Sequence, residues 1–231
     1  MPTDKEIRAF LGKHRHSVGA GLTVLAAGML AVPPLVIGLS TGGWNSWLSW
    51  VPRLTSLYAF TLIFMNIVTG ALAPYFYPVF KAKGEYLIHT ITGSLGFLLA
   101  LSHGLIILTQ RTYKGYSGVW LVGPIALILL AGTVWVALDR VRLKKVWRFI
   151  HQINYAIFIA IYVKAVLIGS DFRLNTPASI ALMVIFTAYM AIAAVALLLR
   201  FRRYQVLVTE RKQRAAAKEL AVEAEGAAPA E

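Results

Sequence analysis

The chain has no cysteine. A disulfide, a zinc–thiolate site, an iron–sulfur cluster and a cysteine nucleophile are therefore all excluded. Charge is also scarce: 14% of the 231 residues are charged, against about 25% in an ordinary globular chain. There is no Walker or GxGxxG phosphate loop and no internal repeat, so a nucleotide-binding half is missing from this sequence. What dominates instead is apolar surface, with 58% hydrophobic residues and a mean hydropathy of +0.66. Such a composition excludes disorder for most of the length. It also removes the usual meaning of a net charge of +13, because a chain with so little polar surface is no soluble nucleic-acid binder.

Six apolar runs are long enough to cross a bilayer, which takes roughly 17–25 residues. They are Val18–Ser40, Leu54–Leu72, Tyr86–Thr109, Gly118–Leu138, Ile150–Gly169 and Ala178–Leu199. Inside lipid the backbone must satisfy its own hydrogen bonds, so runs of this length are helices. The fold predicted is an all-α, six-helix polytopic membrane bundle. The first run is too long for a signal peptide and holds Pro33-Pro34, so it reads as a retained, kinked helix. Pro124 is expected to kink the fourth.

Lysine and arginine place the ends. Eighteen lie on the side of the two termini and the second and fourth loops, and four (Arg53, Arg111, Lys114, Arg173) lie on the other. This asymmetry predicts cytoplasmic N- and C-termini in a bacterial-type inner membrane. The division is then a basic N-terminus over 1–17, the transmembrane domain over 18–199, and a tail over 200–231. That tail begins as a basic helix extension at the inner surface and ends in a mobile acidic stretch. Trp44, Trp47 and Trp50 read as an interfacial belt facing membrane lipid.

Histidine spacing carries the chemistry. His14 and His16 belong to a solvated basic cluster. His89 and His103 are 14 residues apart in the third span, about 21 Å along a helix, and two heptads bring them to one stripe. Between them the stripe reads Gly93, Gly96 and Ala100. Small residues here serve either a close helix contact or the open face that a large planar cofactor needs beside an imidazole. Only the second accounts for an imidazole at both ends. Porphyrin iron takes imidazole as an axial ligand, so a haem at each level is the expectation. His151 opens the fifth span at the depth of His89, giving a bis-histidine inner site. At the outer level His103 needs a partner near residue 164 or 165, and the sequence offers Lys164, although strict heptad spacing favours Ala165. Tyr155, Phe158 and Tyr162 share the His151 stripe as aromatic bulk for porphyrins. Without cysteine a covalent c-type attachment is excluded, so the haem is non-covalent.

These residues resemble the ferric reductase-like transmembrane family, which includes NADPH oxidases, ferric reductases and the haem subunit of the periplasmic methionine sulfoxide reductase system. The resemblance covers roughly residues 54–199. It rests on His89 with His103 and on Trp147-Arg148-Phe149-Ile150-His151 followed by Tyr155, similar to the family's opening of the fifth span. Two-haem members carry a second histidine 13 residues after the one matching His151, where this chain has Lys164.

Three readings of Lys164 stay open: a neutral amine ligating an outer haem, since a low-dielectric site disfavours the ammonium form; a partner for a haem propionate; or a side chain snorkelling to the outer interface. Arg148 is a candidate for an inner-haem propionate. Arg140, Arg142, Lys144 and Lys145 anchor the inner face, and Asn66 and Thr69 suit interhelical hydrogen bonds.

The resemblance implies a membrane cytochrome b with two haems, one at minimum, and admits a quinone or flavin. Electrons would come from a cytoplasmic flavoprotein or quinol and leave to an outer-face acceptor or partner reductase. The chain would act as the electron-transfer subunit of an oxidoreductase, with no nucleic-acid partner. The rivals are a single-haem subunit and a non-redox transporter or assembly subunit. None of the six runs contains Asp or Glu, which counts against a proton-coupled carrier.

Overall fold

The computed structural model describes residues 3–40, 46–109, 118–144, 146–173 and 175–226. Trp44, Arg111, Lys114, Lys145 and the last five residues of the acidic tail lie outside these.

Eight α-helices follow in order: α1 (Asp4–Lys13), α2 (Arg15–Leu39), α3 (Trp47–Ala71), α4 (Ala73–Thr109), α5 (Val122–Leu138), α6 (Arg140–Leu143), α7 (Val146–Ile168) and α8 (Pro177–Gly226), with no strand among the described residues. Six of these segments are long and apolar enough to cross a membrane, α5 together with the 3₁₀ turn Gly118–Leu121 before it. Their outer faces show why a bilayer is required. Ile128, Trp135 and Leu138 of α5 are 71–80% exposed, an apolar surface far beyond what water tolerates. The chain is an integral membrane protein.

The central helix is α3. Its Phe60 stacks on Phe158 of α7 at 4.4 Å and on Phe186 of α8 at 4.7 Å, and its Phe64 stacks on Tyr189 at 4.3 Å. Ring pairs at these spacings add to plain area burial. They fix α3, α7 and α8 around one core. A smaller cluster of Ala126, Leu130 and Ile157 joins α5 to α7.

Several local features differ from the sequence expectation. Pro124 falls in the first turn of α5, where a missing N–H leaves no bond unmade, so it starts that helix instead of kinking it. The third span is preceded by a helical segment from Ala73, set off by a break at Lys81, whose φ of 60° and ψ of 161° are not helical. The basic stretch from Arg200 continues the sixth span as part of one helix ending at Gly226. At the termini, α1 is closed by a capping box in which Thr3 and Glu6 satisfy each other's backbone N–H.

Candidate functional site

Antiparallel packing of α3 on α4 builds the first half of the site. His89 Nδ1 lies 3.1 Å from the backbone carbonyl of Asn66. With its proton on Nδ1 the ring donates to that carbonyl and leaves Nε2 as the open nitrogen. The Asn66 amide in turn donates to the His89 carbonyl, so one asparagine ties the two helices at this level. Gly70 makes room for the ring: a Cβ there would stand 2.9 Å from His89 Cε1.

Helix α7 supplies the second half. The imidazole centres of His89 and His151 are 6.0 Å apart, with the planes inclined at 67°. The buried Thr133 of α5 donates to Asn154 Oδ1 at 2.6 Å, and Asn154 Nδ2 is 3.4 Å from His151 Nδ1. Trp147 sits 5.9 Å from the His151 ring. The two histidines assigned to one depth from the sequence stand side by side.

A cleft of about 290 Å³ opens beside this pair, lined by both histidines together with Gly70, Trp147, Tyr155 and two arginines, Arg148 and Arg200. Among the described residues no carboxylate lines it. Arg148 lies 5.9 Å over the Trp147 ring, and Arg200 of α8 donates to the Tyr155 hydroxyl.

The donor set favours a particular kind of ligand. A 6.0 Å centroid distance falls in the ordinary range of aromatic contacts. It also equals what one metal atom between the rings would give, since two metal–nitrogen bonds of about 2 Å and about 1 Å from nitrogen to each ring centre add up to roughly 6 Å. Among the described residues no group of three or more His, Cys, Asp or Glu could hold a metal ion. Two imidazoles can serve as an axial pair where a macrocycle supplies the remaining positions, as porphyrin does. The residues present fit that group.

At the other end of α4, His103 Nδ1 donates to the Pro52 carbonyl at 2.8 Å. Lys164 of α7 is close enough for its charge to act on His103, and its Nζ lies 3.0 Å from where a Cβ on Gly123 would be. Ala165, the heptad alternative, packs into the main core. His103 and Lys164 thus share one level, at the end of α4 away from His89.

Between the levels the expected open face is closed. A Cβ on Gly93 would meet Asn66 Nδ2 at 2.7 Å, and one on Gly96 would meet Ile63 at 3.0 Å. The small residues let α3 approach α4, the helix-contact use of such a stripe. Of the aromatic residues on α7, Phe158 is buried among Phe60 and Phe64, and Tyr162 shares a 2.7 Å hydrogen bond with Thr187. Tyr155 alone of the three lines the cleft. Thr69 bonds back to its own helix at Met65, and His14 and His16 are exposed.

Two residues here escaped the sequence reading. In the sequence Arg200 is one of the basic residues that follow the sixth apolar run, and nothing in its spacing separates it from them. Glu85 lies one residue before the third apolar run, yet it is buried, 6% exposed, one turn before His89 on α4. Comparison with family models, curated proteins and solved structures gives no match for this chain.

Proposed function

We propose that the protein is a membrane cytochrome b, the electron-transfer subunit of a redox system of the ferric reductase-like kind. The observation that carries this reading is the 6.0 Å separation of the His89 and His151 rings beside a cleft lined by two arginines. His89 and His151 would hold one haem b, and His103 with Lys164 a second, about 21 Å away along α4. Haem iron supplies a one-electron couple whose potential follows its axial ligands.

The chain's own residues do the rest. Asn66 and Asn154 orient the inner imidazoles, the Phe60–Phe158 core keeps water out, and Lys164 gives the outer level a different donor from the inner. The basic asymmetry supports cytoplasmic termini in a bacterial-type inner membrane. Electrons would enter from a cytoplasmic flavoprotein or quinol and pass to an outer acceptor or partner reductase.

One observation favours a single-haem variant: the cleft described adjoins His89 and His151, whereas at the outer level a Cβ on Gly104 would already meet Leu127 at 3.0 Å. The dithionite-reduced minus oxidised spectrum of the pure protein, with a haem-to-protein ratio, separates the readings. A ratio near two supports the full proposal and a ratio near one the variant. A colourless protein overturns both and leaves the histidines and Glu85 to a proton-relay or structural role.

A further inference from the structure

The inner cleft has an unbalanced charge. Its lining contains Arg148 and Arg200, two imidazoles and no Asp or Glu. Among the described residues no carboxylate lies within ion-pair distance of Arg200 or Arg148, although Asp4, Asp139, Asp171 and Glu210 each pair with another arginine. A guanidinium has five N–H donors, and the hydrogen bond given to Arg200 uses one of them, to the Tyr155 hydroxyl. Its Cζ stands 5.9 Å over the Tyr155 ring. It is also near enough to both His89 and His151 for its charge to act on them.

The position of Arg200 is fixed from two sides. Tyr155 holds it from α7. One turn further along α8, Arg203 lies 5.7 Å over the Tyr75 ring and 3.8 Å from Asp4 Oδ2, so α1 and the start of α4 set where this part of α8 sits. A long flexible side chain ordered in this way presents its remaining donors at little further entropic cost. Arginine also suits carboxylates better than lysine does, because its planar fork can bind both oxygens.

We propose that Arg200 is a binding residue for a carboxylate of the inner-site ligand, acting with Arg148 on a ligand that carries two acidic groups. The inference rests on the haem reading above, haem b being a planar group with two propionates, and it places one of them at α8. Arg200 reached this role from a helix that contributes no axial ligand.

The test uses the full chain produced in haem-depleted cells, titrated in detergent with haemin and, separately, with haemin dimethyl ester, whose propionates are blocked. The wild type should bind haemin at least tenfold more tightly than the ester. Arg200→Gln should weaken haemin roughly tenfold and leave the ester unchanged, so the preference largely disappears. Arg200→Lys, which keeps the charge, should fall between, and Tyr155→Phe should show a smaller loss in the same direction. Equal weakening of both ligands by Arg200→Gln, or no weakening of either, overturns the assignment. Failure of the wild type to bind haemin with a His89-dependent spectrum overturns the haem reading itself, and the Arg200 assignment with it.

Discussion

His89 on α4 and His151 on α7 stand edge to face with ring centres 6.0 Å apart, at the level where α3 is tied to α4 by Asn66. The spacing depends on how closely α3 lies behind His89, and that closeness depends on a residue with no side chain.

Gly70→Ala tests this dependence. The new methyl group would stand 2.9 Å from His89 Cε1, so the ring has to move. Overpacking of this kind costs about 1–3 kcal/mol. The expected result is a lower thermal midpoint and a shifted or weakened inner-site absorption. An unchanged stability and spectrum would show that the ring is free to move.

Lys164→Ala should change the outer-site spectrum and leave the inner one intact, because Lys164 and His103 share a level remote from His89. Lys164→His, which puts an imidazole in place of the amine, should keep a second site with an altered potential. An outer spectrum identical in Lys164→Ala and wild type excludes ligation by the amine.

At the end of the bundle near Trp47, Arg53 Nε donates to Asp171 Oδ1 at 2.6 Å. The two side chains are 21% and 13% exposed. This half-buried pair ties the turn after α7 to the start of α3. Asp171→Asn should lower stability by about 1.5–3 kcal/mol, the range for hydrogen bonds to charged groups. Thermal unfolding in detergent reads it, and a midpoint within error of wild type would show the pair to be energetically idle.

The docking of α1 should depend on pH only in acid. The Tyr75 hydroxyl is the largest influence holding the Asp4 carboxyl below its ordinary value; burial, next in size, opposes it, and the Arg203 and Arg8 guanidiniums add to the lowering. A carboxyl depressed in the folded state contributes stability that is fully present above its unfolded value, about 3.9, and is lost as pH falls through the lower folded value. Limited proteolysis within residues 4–13 should therefore stay slow from neutral pH to about 4 and accelerate below. Asp4→Asn should be cut faster at neutral pH. Equal protection of Asp4→Asn and wild type would remove Asp4 from the account.

Much of the architecture was legible because lipid imposes a simple rule on sequence. Unbroken apolar runs gave the six spans, and equal depth on two parallel helices put His89 with His151. What was not legible depends on which neighbour fills a space. The Gly93–Gly96 stripe is compatible with an open face or with a close helix, and Ile63 and Asn66 decide for the helix. Pro124 changed meaning when α5 proved to begin at Val122. Glu85 missed the third run by one residue because hydropathy marks where a span becomes apolar, whereas burial follows where α3 and the neighbouring helices pack. Arg200 looked like one more inner-face charge, and its place in the cleft follows from the packing of α8 on α7.

The central claim is that His89 and His151 hold a haem, and its most direct test is the reduced minus oxidised spectrum of purified wild type beside His151→Ala. The account expects a b-type spectrum in the wild type and loss of the inner-site component in the variant, with the folded protein recovered in similar yield. A wild type without haem absorption, or a variant with the full wild-type spectrum, would contradict it.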